Sequence, residues 1–265
     1  MPGEDPFKRA LRRGPVPVGT WPMSGPPSTA EALGHRGFDS LVSDMEHVPI
    51  GVPDAAHLPR AIAGTPAQAA VRLEWNDRVP IEETLDAGAR SLVVPFVRDA
   101  DGAARAVAAC KHPPLGTRGV AAVHRASRYG RDADHLRSAD DEVCVVLQPE
   151  TRGAIGRLRE IAAAPGVDAL FVGPGDFAAG VGEIGDIAAP LVQDASRDAA
   201  AAARRRGKPA GIVGPKPRMV RRCREWGHGF VAIASDPGMM TARAGEMSAA
   251  PAGESAGPAQ AGSAW

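Results

Sequence analysis

Val143-Cys-Val-Val-Leu-Gln-Pro-Glu150-Thr-Arg152, answered further on by Ala169-Leu-Phe-Val-Gly-Pro-Gly-Asp176-Phe177, decides the fold. Each stretch begins as a short apolar run rich in β-branched residues, the signature of a buried strand. Each ends abruptly at a carboxylate. Between them, Thr151 to Ala164 carries Ala, Ile, Leu and Arg at helical spacing. Strand, helix, strand makes a right-handed crossover, so the two strands lie parallel and end on the same side. Glu150 and Asp176 then stand at equivalent strand ends. A single carboxylate in such a place more often caps a helix or makes a salt bridge. Two together, beside Gln148 and the turn Gly173-Pro-Gly175 and with no adjacent Lys, suit a hard divalent cation.

The same alternation runs through the chain. Short strands are predicted at Val18–Trp21, Ser40–Asp44, Ala69–Leu73, Ser91–Val97, Val143–Leu147, Ala169–Val172, Pro209–Gly214 and Phe230–Asp236. Helical patterns follow them: Ser28, as a cap, to Gly34; Asp54 to Ala63; Val79 to Ala87, closed by Gly88; Ala100 to Cys110; Ala188 to Arg206; Arg218 to Trp226; and Pro237 to Ser248. Phe7 and Leu11 predict a short helix packed under the strands. Eight βα units in one chain are the count of a (β/α)8 TIM barrel. A doubly wound sheet would need a Gly-rich phosphate turn after its first strand, and Gly19-Thr-Trp-Pro-Met-Ser-Gly25 supplies none. Residues 1–248 read as one domain. Residues 249–265, nearly all Ala, Gly, Ser and Pro, read as a disordered tail.

Composition narrows the function. Hydrophobic residues make up 44%, enough for a core, but aromatics only 4%, so Val, Ile, Leu and Ala must fill most of it. With 31 basic and 31 acidic residues the formal net charge is zero, which offers nothing to nucleic acid or an anionic membrane. Three scattered cysteines, Cys110, Cys144 and Cys223, form neither a disulfide framework nor a zinc pattern, and suggest a reducing cytoplasm. Met1-Pro-Gly-Glu-Asp-Pro-Phe-Lys8 lacks an apolar signal core, and no apolar run reaches the length of a membrane span.

On a barrel, chemistry sits at the C-terminal strand ends. These carry Trp21, Asp44-Met-Glu46-His47, Arg72-Leu-Glu-Trp75-Asn-Asp77, Gln148, Glu150 and Asp176. Arg72, inside an apolar strand, must meet an anion, either Glu46 or a substrate carboxylate. Asp86 sits late in a helix, a poor place for a carboxylate, and is expected to be held by a partner such as His47. The long excursion holding His112-Pro-Pro-Leu-Gly-Thr-Arg118 and Arg125-Ala-Ser-Arg128-Tyr129 is expected to have a function.

These segments, in order, resemble the HpcH/HpaI aldolase family of the phosphoenolpyruvate/pyruvate superfamily, over roughly residues 8–246. Gln148-Pro-Glu150-Thr-Arg152 is similar to Q-x-E-T-R, and Gly173-Pro-Gly-Asp176-Phe177 to G-P-x-D-[LF]. Asp44-Met-Glu46-His47, Val71-Arg72-Leu-Glu-Trp75-Asn-Asp77, Leu85-Asp86-Ala-Gly88 and the two motifs of the excursion match in turn. Met45, Val48, Glu74 and Ala234 depart from the pattern; Ala234 stands where the family has Gly.

The resemblance implies a metal-dependent (class II) aldolase that reversibly cleaves a 4-hydroxy-2-oxo acid to pyruvate and an aldehyde through a metal-bound enolate. Glu150 and Asp176 would bind the metal, which is Mg²⁺, Mn²⁺ or Co²⁺. Arg72 would hold pyruvate and its enolate. Gln148, Gly175 and Asp176 would line the pyruvate site. His47, paired with Asp86, would act on the aldol hydroxyl, and Trp21 would border the acceptor pocket. A homo-oligomer, often a hexamer, with exchanged C-terminal helices is implied as well. A Schiff-base route is disfavoured because Lys111, Lys208 and Lys216 fall outside the strands. Two alternatives stay open: a CoA-thioester lyase of the citrate lyase β or malyl-CoA lyase type, and a non-catalytic barrel that binds a metal and a 2-oxo acid.

Overall fold

The computed structural model describes residues 5–12, 17–214 and 217–249. The expected tail lies outside them except for its first residue, as does Lys216. Eight strands close into a barrel: β1 (Val18–Trp21), β2 (Ser40–Asp44), β3 (Gln68–Arg72), β4 (Ser91–Val94), β5 (Cys144–Leu147), β6 (Ala169–Val172), β7 (Ala210–Val213) and β8 (Phe230–Ser235). Neighbours pair in parallel all the way round, and β8 returns to β1. This is the architecture that the alternation of the sequence predicts.

Differences lie at the ends of elements. β4 stops at Val94, short of the expected Val97, because Pro95 has no N–H to continue the ladder. Phe96 beyond it has φ 52°. The helix expected over Thr151–Ala164 is two short ones, Arg152–Ile155 and Leu158–Ala163, broken around Gly156. The Asp54–Ala63 pattern is likewise split into Val52–Ala55 and His57–Ile62. Ser28 does not cap its helix, which begins at Pro27, a residue with a φ already suited to a first helical position. The excursion after Cys110 contains the helix His135–Glu142. Gly173-Pro-Gly175, expected as a turn, opens the helix Pro174–Gly180, so Asp176 sits in a first helical turn.

The barrel has two cores. Outside it, Val, Leu, Ile and Ala of the strands meet the helices, as the composition requires. Inside it, the scarce aromatics are concentrated. Phe7 packs edge-on against Phe230 at 5.3 Å, Phe230 lies 5.7 Å from Phe171, and Phe171 lies 5.7 Å from Trp21. Small residues make the room: a Cβ on Gly211 of β7 would meet both Phe171 and Phe230 at 2.6 Å. Phe7 belongs to the helix Pro6–Arg12, which plugs the base of the barrel as expected. Lys8 Nζ fixes the plug by donating to the Val143 carbonyl at 3.1 Å and pairing with Asp168 at 3.0 Å.

Candidate active site

The C-terminal rim gathers charge. Asp44 ends β2 and Arg72 ends β3, opposite one another in register. Arg72 Nε donates to Asp44 Oδ1 at 2.8 Å and Nη2 to Oδ2 at 2.7 Å. Nη1 lies 3.0 Å from Glu46 Oε2. The guanidinium carbon sits 4.4 Å from the Trp21 ring centre, in cation–π range. Arg72 therefore meets anions, as burial requires, but the main one is Asp44, which sequence reasoning had given no role. Asp44 and Arg72 stand at the ends of adjacent parallel strands, so register could have paired them in advance.

Glu150 follows β5 and is almost fully buried. Its Oε1 accepts the Phe96 backbone N–H at 2.8 Å, and its Oε2 accepts Gln148 Nε2 at 2.5 Å. Gly173 makes this packing possible, because a Cβ there would sit 2.5 Å from Glu150 Oε2. Burial pushes the Glu150 carboxyl up to about 7; the two hydrogen bonds oppose this and the charges of Glu46 and Asp176 reinforce it. Burial also raises Glu46, against the pull of Arg72 and His47 and with the push of Asp176 and Asp44. Glu46 Oε1 is buried without a partner. No hydrogen bond or ion pair with the described residues engages the Asp176 carboxylate.

Asp44 and Glu46 thus pair with the Arg72 guanidinium, Glu150 and Asp176 add their charge next to Glu46, and among the described residues part of this oxygen inventory is unused. A hard divalent cation fits this surplus. Among the described residues no three His, Cys, Asp or Glu side chains are close enough to hold an ion alone. Glu150 and Asp176 would need substrate or water oxygens to complete a shell.

His47 follows β2 at the mouth, with its side chain 49% exposed and Nε2 3.8 Å from Glu46 Oε2. The expected His47–Asp86 pair does not form within the chain. Asp86 ends the helix Arg78–Asp86, which starts at the rim and runs down to the opposite face of the barrel. There Asp86 Oδ1 accepts Arg118 Nη2 at 2.7 Å, with His124 Nε2 3.6 Å away. Asp86 does gain the partner that its place late in a helix calls for, and that partner comes from the long excursion. Gly175 lies exposed beside Asp176 at the start of the Pro174–Gly180 helix. Trp21 and Arg72 also line a cavity of about 550 Å³ with Met23, Val213, Ala234 and Met239. Lys208 is at the opposite end, donating to the Ala164 carbonyl at 3.1 Å.

The profile of the HpcH/HpaI aldolase/citrate lyase family matches residues 18–242. The chain belongs to this family. It is 50% identical, over 89% of its length and 93% of the relative's, to a 2-dehydro-3,6-dideoxy-6-sulfogluconate aldolase of Pseudomonas putida. It is 41% identical to a hydroxypyruvate/pyruvate aldolase of Sagittula stellata, over 88% of this chain and 92% of the relative. A 4-hydroxy-2-oxo-heptane-1,7-dioate aldolase of Shigella boydii is 42% identical over 93% and 94% of the two chains. A crystal structure of an HpcH/HpaI aldolase/citrate lyase family protein from Burkholderia cenocepacia superimposes with a TM-score of 0.87 at 38% identity, covering 91% of this chain and 96% of that one.

Proposed function

We propose that this protein cleaves a 4-hydroxy-2-oxo acid to pyruvate and an aldehyde, and runs the reverse addition, with a divalent cation at Glu150 and Asp176. The chain is a carbon–carbon lyase of the pyruvate-aldolase type, as its named relatives at 41–50% identity are. The observation that supports the mechanism is the crowding of Glu46, Glu150 and Asp176 on one another, with Glu46 paired to the guanidinium that Asp44 clamps.

A cation there, Mg²⁺, Mn²⁺ or Co²⁺, supplies Lewis acidity for charge that develops on the keto oxygen. The chain's own groups do the rest. Arg72, fixed by Asp44 and seated on Trp21, offers a preorganised positive charge to the pyruvate carboxylate and to the enolate oxygen. Gln148 and the Phe96 amide hold Glu150 in place. His47 takes the proton of the C4 hydroxyl as the C3–C4 bond breaks. The bonding pair passes into the enolate, the aldehyde departs, and protonation at C3 gives pyruvate. The cavity beside Trp21 and Met239 is the reading for the aldehyde's place.

A homo-oligomer is part of the proposal. The helix Asp236–Ser248 is exposed along its length from Met240 onward, which suits docking or exchange with a neighbour. Asp86 would reach a His47 only across such a subunit boundary. Light scattering at micromolar concentration tests this, and a monomer contradicts it. Among the described residues no helix is long and apolar enough to cross a membrane. The three cysteines are free and buried, which fits a reducing cytoplasm. The functional test is a screen of pyruvate against a panel of aldehydes with added Mg²⁺, Mn²⁺ or Co²⁺. Turnover abolished by a chelator and restored by the metal supports the reading, and turnover that survives exhaustive chelation removes the metal from it.

A further inference from the structure

The segment that follows β4 is strained, and the strain falls on a contact to the site. Pro95 ends the strand, and Phe96 then adopts φ 52°. That is the left-handed region, where a bulky residue is strained and persists only if its surroundings impose it. In this conformation the Phe96 N–H donates to Glu150 Oε1 at 2.8 Å. The flanking backbone is stitched to β5: Gln148 N–H donates to the Val94 carbonyl at 2.9 Å, and Val97 N–H to the Gln148 carbonyl at 3.3 Å. These bonds fix both sides of Phe96 but leave its own side chain to be held by something else.

That something is Trp75. It projects from the segment after β3 and stacks on Phe96, with ring centres 4.7 Å apart and planes 30° apart. The Trp75 segment is itself anchored. Asn76 Nδ2 donates to the Gly102 carbonyl at 3.0 Å, and Asp77 caps the next helix through the Val79 N–H at 2.9 Å. Trp75 is nonetheless 46% exposed and belongs to no core cluster. A half-exposed indole adds little to global stability. Among the described residues its one aromatic contact is the ring whose backbone orients Glu150.

We infer that Trp75 is a positioning residue for the metal-ligating carboxylate: its stack on Phe96 holds the left-handed turn that aims the Phe96 amide at Glu150. This rests on the reading of Glu150 as a metal ligand. With the indole removed, Phe96 relaxes toward ordinary φ, its N–H turns away, and Glu150 loses one of its two orienting bonds. Partners that orient metal ligands in this way are generally worth about 10–100-fold in metal affinity.

The test is a Mn²⁺ titration of the substrate-free protein, followed by electron paramagnetic resonance, on wild type, Trp75→Ala and Trp75→Phe. Unfolding temperatures are measured in parallel in EDTA. Trp75→Ala is expected to weaken Mn²⁺ binding roughly tenfold or more, while Trp75→Phe, which keeps a ring on Phe96, stays close to wild type. Both should unfold in EDTA as wild type does. Trp75→Ala that binds Mn²⁺ as tightly as wild type overturns the inference. So does an equal loss in both variants accompanied by a lowered unfolding temperature, which makes Trp75 a general support. Wild type that takes up no Mn²⁺ overturns the metal reading and this inference together, and so is told apart from a failure of the inference alone.

Discussion

Asp44 clamps Arg72 by two parallel hydrogen bonds, 2.8 and 2.7 Å long, from the residue directly opposite it in the β2–β3 register. The clamp is made by two strand ends rather than by a loop. The Arg72 guanidinium therefore has little freedom to move.

Arg72→Lys is accordingly expected to be nearly as damaging as Arg72→Ala. An ammonium cannot make the two-pronged bond to Asp44 while also reaching a carboxylate or enolate. Loss of a preorganised charge of this kind costs about 10²–10³ in turnover. Asp44→Asn should fall between wild type and these variants, because it keeps the shape but halves the acceptors. Near-normal kcat in Arg72→Lys would reduce Arg72 to a structural ion-pair partner.

Glu150 gives a pH prediction. Its carboxyl is pushed to about 7 by burial and by the charges of Glu46 and Asp176. A cation can bind only the ionised form, so below that pH it must displace a proton. Mn²⁺ affinity should be flat above about 7.5 and fall as pH drops through 7, approaching roughly tenfold per unit. Glu150→Ala or Asp176→Ala should abolish metal-dependent turnover and leave the far-ultraviolet circular dichroism of the barrel intact. An affinity independent of pH from 5 to 8 would place the cation elsewhere.

His47 separates two reactions. Aldol cleavage needs a base for the C4 hydroxyl, whereas decarboxylation of oxaloacetate reaches the same enolate without one. His47→Ala should cut cleavage by about 10²–10⁴, the scale of general-base catalysis, and spare decarboxylation. The assay is both rates on one preparation. Equal losses would make His47 a binding or structural residue.

The barrel was legible because its signal is local and repeated: each strand is a short apolar run and each helix a periodic one. That Arg72 must meet an anion was legible for a related reason, since a charge at the end of an apolar strand has few places to go. The pairing of Asp86 was not. Its helix begins at the rim, and only the helix length carries Asp86 to the far face, where Arg118 and His124 take it. The Phe96 amide was hidden as well, because a backbone donor carries no side-chain signature. The helix Pro174–Gly180 was missed since Gly173-Pro-Gly175 looks the same opening a helix as making a turn.

Ala234 turns one departure of the sequence into a stability measurement. The family resemblance expects Gly at this position, and the φ of Ala234 is 53°, in the left-handed region. The register of β8 on β1 shifts there, with Gly19 facing Ala232 and Trp21 facing Ser235. Ala234→Gly removes the steric cost of the Cβ and should stabilise the protein by about 1 kcal/mol, net of the extra freedom given to the unfolded chain. Urea denaturation measures it; a destabilised variant would show that the methyl group's packing against the cavity outweighs the strain.

The ring-on-ring file inside the barrel ties the two ends of the protein together. Phe7 at the floor touches Phe230, Phe230 lies against Phe171, Phe171 against Trp21, and Trp21 carries Arg72 on its face. The short N-terminal helix is therefore the footing of a pillar whose capital is the Arg72 guanidinium. Shortening the chain before Pro17 would be felt at the mouth, on the far side of the molecule from the cut.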